Sequence, residues 1–192
     1  MHQFESTLQI ESSAAITVAL FPWGELPDRN GYRLNCVRHL CGNSQLELGK
    51  TESGQPFLVN STIGISFSHT ENLLAIAISG NHPPGVDIEK IRIKIKTIAS
   101  RVFSEDELNM ILSFPELKAL HILWGTKEAV YKSQGKRGVI FKTDIIIHPF
   151  DFNPGGGKLK ATLKNGGNYD LEYKFVDEEF VVVYTTGFRA DT

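Results

Sequence analysis

The apolar positions of this chain fall mostly into short runs with a period of two, broken in two places by helical spacing. Ile16 to Phe21 predicts a buried strand closed by Pro22-Trp23-Gly24. From about Asp28 to Leu40 the spacing becomes helical: Leu34, Val37 and Leu40 share a face, Gly42-Asn43 supplies the stop, and Gly31 weakens the first turns. Gly49 to Pro56 is a polar, glycine-bearing loop. Ile63 to Thr70 and Leu73 to Ile78 predict paired strands around a tight turn. Gly64, Ser66 and Ser68 form one small polar face of the first, and His69 falls just past its end. A turn through Ser79 to Pro84 leads into a second extended segment, Gly85 to Lys90. Side chains alternate along a strand, so Asp87 and Glu89 face one way there, and Val86 and Ile88 the other. Alternation continues through Ile91 to Lys96, with Arg92, Lys94 and Lys96 opposite three isoleucines.

Ser104-Glu105-Asp106-Glu107 has the form of a capping box and predicts a helix through about Leu112. A longer helix is predicted from about Pro115, suited to a first turn, to Gln134, with Gly135 as its terminator. Trp124, Glu128 and Lys132 are successive i, i+4 neighbours on it. Val139 to Ile147, Lys158 to Lys164, Tyr169 to Phe175 and Phe180 to Thr185 predict strands, with hairpin turns at Asn165 to Asn168 and Val176 to Glu179. Gly155-Gly156-Gly157 lacks the strand-to-helix setting of a phosphate loop and reads as a flexible connection.

With 192 residues and 41% hydrophobic content, the chain can bury a sizeable core as one large or two small domains. No apolar run is long enough for a membrane span, and the N-terminus lacks a basic region followed by an apolar core and cleavage site. A cytoplasmic protein is therefore expected. The two cysteines, Cys36 and Cys41, fit neither a redox pair nor a zinc knuckle and read as small apolar residues. A formal net charge of −2 gives no support for nucleic-acid binding.

Chemistry concentrates in Gly85-Val86-Asp87-Ile88-Glu89-Lys90. Two carboxylates held on one face of a strand are costly to ionise unless a cation or several hydrogen-bond donors lie against them. A solvated strand edge is the alternative. The same choice holds for Arg92, Lys94 and Lys96, which either protect an edge or dock an acidic partner. Glu128 ahead of Lys132 is also the favourable order for a surface ion pair.

Four blocks in order carry a resemblance: Ser66-Phe67-Ser68-His69-Thr70, Gly85-Val86-Asp87-Ile88-Glu89, Arg101 to Leu108, and Leu123-Trp124-Gly125-Thr126-Lys127-Glu128-Ala129-Val130-Tyr131-Lys132. Together they resemble the 4′-phosphopantetheinyl transferases in their longer, two-lobed, monomeric form. The resemblance implies an α+β fold of two similar lobes related by a pseudo-twofold, each an antiparallel sheet packed on a long helix. Residues 1–84 would form the coenzyme A side and 85–192 the metal and carrier-protein side. It further implies an enzyme of holo-acyl-carrier-protein synthase type. Such an enzyme transfers the phosphopantetheine arm of coenzyme A to a serine of an acyl or peptidyl carrier protein and releases adenosine 3′,5′-bisphosphate.

On this resemblance Asp87, Glu89 and Glu128 match the magnesium ligands, Lys132 contacts the diphosphate, and His69 with Ser68 contacts the coenzyme A phosphates. Arg38 and Arg29 occupy the stretch that carries basic residues for the 3′-phosphate. Glu128 is the candidate base, directly or through a metal-bound water. Lys127 points away from Lys132 on a helix, which suits a structural or flanking role. The carrier would meet Arg92, Lys94 and Lys96. Gln55 departs from the family's common lysine in Gly54-Gln55-Pro56, with Lys50 near enough in sequence to compensate. A non-catalytic coenzyme A or carrier-binding module and a magnesium-dependent nucleotide-diphosphate hydrolase are the alternatives.

Overall fold

The computed structural model describes residues 7–12 and 16–190; the first six residues, on which part of the leader reading rests, lie outside the described residues. The fold is α+β with antiparallel sheets. The first sheet has strand order β1-β2-β6-β5, built from Leu8–Ser12 (β1), Thr17–Pro22 (β2), Gly64–Thr70 (β5) and Leu73–Ser79 (β6). Helix α1 (Arg29–Cys41) covers one face of it, and a hairpin of β3 (Leu48–Lys50) and β4 (Pro56–Leu58) lies beside it. The second sheet has order β7-β11-β10-β9-β8, from Val86–Lys90 (β7), Ile145–Ile147 (β8), Gly157–Leu163 (β9), Gly167–Val176 (β10) and Phe180–Arg189 (β11). Short helices α2 (Ala99–Val102) and α3 (Glu105–Met110), the long α4 (Glu116–Gln134) and the single turn α5 (Phe141–Asp144) complete the chain.

Strict alternation stacks these elements in four layers. In β2, Val18 and Leu20 meet the second sheet while Ala19 and Phe21 pack under α1 with Tyr32, Cys36 and Val37. In β11, Val182 and Tyr184 face the first sheet, whereas Val181 and Val183 face α4. In β7, Val86 and Ile88 enter the core between the sheets, which turns Asp87 and Glu89 toward α4. Each fully buried aliphatic side chain contributes about 1.5–3 kcal/mol, so a slip of one residue in β7 would exchange that gain for two buried carboxylates.

The predicted helix ends hold. Asp28 Oδ1 accepts from the Asn30 and Gly31 amides at the start of α1, and Gly42 closes it in the left-handed region. Ser104 and Glu107 form the reciprocal capping box, and Gly135 ends α4 at φ +69°. The hairpin turn after β10 holds too, with Asp177 and Glu178 both at positive φ.

Four expectations need correction. Ile91 to Lys96 is not a strand but leads into a 3₁₀ helix, Ile93–Thr97. The strand register of β7 with β11 ends at Lys90, because β11 begins at the facing Phe180, and one further bond from the Ile91 amide to the Glu179 carbonyl closes the pairing. The chain turns instead, buries Ile95 and exposes Ile93. The cations are therefore not aligned by strand alternation, and two of them are ion-paired: Arg92 with Glu71, and Lys96 with Glu116. Val139 to Ile147 is extended only at its end, since Asp144 accepts from the Ile140 amide and closes a helical turn first. Gly49 to Pro56 includes the facing ends of a two-stranded ribbon. His69 lies inside β5, opposite Leu74, because the pairing with β6 runs on to Thr70.

Candidate functional site

β5 and β7 are edge strands of different sheets, and the small polar face of β5 lets those edges meet. Ser66 Oγ accepts from the Val86 amide at 3.2 Å, and Ser68 Oγ donates to Asp87 Oδ1 at 2.8 Å. Larger side chains at either serine would hold the sheets apart. α4 comes down on β7 with equally little clearance. A Cβ at Gly85 would stand 1.9 Å from the Ala129 carbonyl oxygen, and one at Gly125 would stand 2.7 Å from Val183 Cγ2.

This junction floors a cleft of about 1000 Å³. One wall is α1, the β3–β4 hairpin and β5; the other is β7 and the C-terminal half of α4. Asp87, Glu89, Glu128, Ser68, His69 and Lys132 all line it. Residues distant in sequence are thus gathered on one surface.

Asp87 is buried, and its Oδ1 accepts from Lys132 Nζ at 2.7 Å as well as from Ser68. Lys132 Nζ also donates to the Val86 carbonyl at 3.1 Å. Asp87 Oδ2 has no hydrogen-bond partner among the described residues. Glu89 Oε1 accepts from Trp124 Nε1 at 3.1 Å. Burial, then the neighbouring Asp87 charge, push the Glu89 carboxyl up to about 7; the Trp124 N–H and Lys132 act the other way. Glu128 is raised by burial and then by Asp87. His69 packs against Trp23 with ring centroids 5.1 Å apart and the planes tilted by 52°, and burial followed by Arg33, Arg29 and Lys132 lowers its pKa. Its imidazole is therefore neutral near pH 7, able both to donate and to accept.

The acids fit a hard divalent cation in chemistry more than in present arrangement. Among the described residues, no group of three or more His, Cys, Asp or Glu is gathered closely enough to hold a metal ion. Yet an unpartnered buried carboxylate oxygen, beside two carboxyls whose pKa values are raised by burial and by the Asp87 charge, is what a cation would relieve. Asp87, Glu89 and Glu128 are the residues that would hold it.

Arg29 and Arg38 do not line the cleft. Arg29 lies over the Trp23 ring at 5.3 Å, and Arg38 Nε donates to the Leu46 carbonyl at 3.0 Å. Arg33, one turn after Arg29, does line it, 5.0 Å from the Trp23 ring and 5.8 Å from that of Phe67. Its i, i+4 relation to Arg29 was the available signal. Tyr131 and Arg137 are further lining residues that sequence reasoning passed over. Lys127 faces the opposite way: it is wholly buried and bonds Glu107 at 2.8 Å and the carbonyls of Phe141 and Ile145.

No helix among the described residues is long and apolar enough to cross a membrane. Residues 83–185 match the model of the 4′-phosphopantetheinyl transferase superfamily. The 4′-phosphopantetheinyl transferase gsp of Aneurinibacillus migulanus is 38% identical over 98 residues, a match that covers 49% of this chain and 40% of that relative. Matched over more than half its length, through both β7 and α4, the chain belongs to the 4′-phosphopantetheinyl transferase superfamily.

Proposed function

We propose that this chain transfers the 4′-phosphopantetheine arm of coenzyme A to a serine hydroxyl of an apo acyl or peptidyl carrier protein, with magnesium. A bond forms between the serine oxygen and the β-phosphorus, the pyrophosphate bridge breaks, and adenosine 3′,5′-bisphosphate leaves. The observation that carries the reading is the meeting of Asp87, Glu89, Glu128 and Lys132, all within the family-matched residues, with a neutral His69 on one cleft.

A bound magnesium ion would neutralise charge on the phosphate oxygens as it shifts to the leaving group. Asp87, Glu89 and Glu128 would hold it. Lys132, whose ammonium already bridges Asp87 and the Val86 carbonyl, places a mobile positive charge beside the diphosphate. Ser68 and His69 offer hydrogen bonds to coenzyme A phosphates. Glu128, a stronger base than a solvated carboxylate because burial and the Asp87 charge raise its pKa, suits the group that takes the serine proton.

On the same reading, residues 1–84 and 85–192 act as two lobes related by a pseudo-twofold, in a monomeric cytoplasmic enzyme. The break between sheets at Ser79 to Val86 supports that division. Carrier docking falls to the exposed Lys94 and neighbouring Arg92 and Lys96.

Chromatography of a reaction holding coenzyme A, magnesium and an apo carrier should show adenosine 3′,5′-bisphosphate forming only when the carrier is present. Asp87→Ala and Glu128→Ala should each stop it. Release without a carrier would point to a hydrolase, and full activity in either variant would remove the mechanism.

A further inference from the structure

Two hydrogen bonds cross the rim of the cleft from the β3–β4 hairpin to the C-terminal end of α4. Gln55 Nε2 donates to the Lys132 backbone carbonyl at 2.5 Å, and Arg137 Nη2 donates to that of Ser53 at 3.2 Å. The last four carbonyls of a helix lack partners within it. Lys132 contributes one of them, so Gln55 caps α4 from 77 positions away in sequence.

A Cβ at Gly135 would stand 2.1 Å from Gln55 Oε1, so the amide lies against a bare helix end. The loop presenting it is internally braced: the Gln55 backbone N–H donates to Thr51 Oγ1 at 3.0 Å, and the Thr51 backbone N–H donates back to the Gln55 backbone carbonyl at 2.9 Å. Lys132 is gripped at both ends, its carbonyl by Gln55 and its ammonium by Asp87. Where its backbone sits decides where Nζ can reach.

The geometry points to Gln55 as a positioning residue for Lys132, with Arg137 as the second half of a clasp that fixes the hairpin across the cleft mouth. Its consequence for catalysis rests on the transfer reading above. A hairpin tied by two bonds is a local unit that opens more readily than the sheets it bridges.

Hydrogen–deuterium exchange of the full, ligand-free chain tests the clasp without reference to activity. Gln55→Met keeps length and neutrality but cannot donate. Exchange in residues 51–55 and 131–137 should then rise together by about tenfold. Arg137→Ala should raise the same two segments. The double variant should add little to either, because one clasp breaks once. In transfer kinetics Gln55→Met should lower kcat by about tenfold while KM for coenzyme A moves less than about twofold. Gln55→Lys, which still donates, should restore kcat.

Unchanged exchange at 131–137 in Gln55→Met overturns the clasp, whether or not the chain transfers anything. A change confined to KM would make Gln55 a direct ligand contact and overturn the positioning role. Absence of transfer by the unaltered chain would count against the proposed function instead, and the exchange result would still decide the clasp.

Discussion

Lys127 sits next to Glu128 in sequence but turns into the core rather than the cleft, so replacing it separates structural from catalytic need. Its ammonium donates to Glu107 Oε1, the Phe141 carbonyl and the Ile145 carbonyl, and neither it nor Glu107 is more than 3% exposed. Lys127→Met removes all three bonds and leaves the Glu107 carboxylate buried with only the Ser104 and Ile147 amides. Breaking a buried pair by deleting one partner costs about 3–5 kcal/mol. In a chain of this size each kcal/mol lowers Tm by about 2–4 °C, so a fall of about 6–20 °C is expected. Glu107→Gln added to Lys127→Met removes the stranded charge and should recover at least about 1 kcal/mol. Thermal and urea melts of the two single variants and the double variant measure this. A loss below about 1 kcal/mol, or a loss of transfer with unchanged stability, would refute the structural assignment.

Three further outcomes follow from the packing. His121 Nδ1 donates to the Leu117 carbonyl and its Nε2 accepts from the Arg92 amide, an arrangement open only to neutral imidazole; burial lowers its pKa from 6.5. Because the unfolded chain binds the proton more tightly, this stability is present above pH 6.5 and is lost as pH falls below it, so Tm of His121→Gln should depend less on pH there. Gly85→Ala places a Cβ against the Ala129 carbonyl and should cost about 1–3 kcal/mol or more, read by denaturant melts, as α4 is forced off β7. Because Trp124 donates to Glu89, magnesium bound there should change Trp124 emission in a Trp23→Phe background, and Glu89→Gln should abolish the change.

What could be read in the sequence was what local chemistry dictates. α4 was legible because Pro115 and Gly135 bracket a helical pattern, and β7 because Val86 and Ile88 alternate with Asp87 and Glu89. Ile91 to Lys96 alternates just as cleanly, but a strand also needs a neighbour, and the register with β11 ends at Lys90. That is long-range information no local pattern holds. The arginines show the same limit. The spacing of Arg29, Arg33 and Arg38 marks a helix, but the burial of Tyr32, Cys36 and Val37 decides which of the three turns toward the cleft. Gln55 was noticed only as a missing charge; its bond to a helix end spans two parts of the fold.

The central claim is tested most directly by the intact mass of an apo carrier protein after incubation with this chain, coenzyme A and magnesium. The account predicts a gain equal to one phosphopantetheine arm, placed on a serine, and no gain with Asp87→Ala. A folded chain that leaves every carrier's mass unchanged, or a variant that still modifies it, would contradict the account.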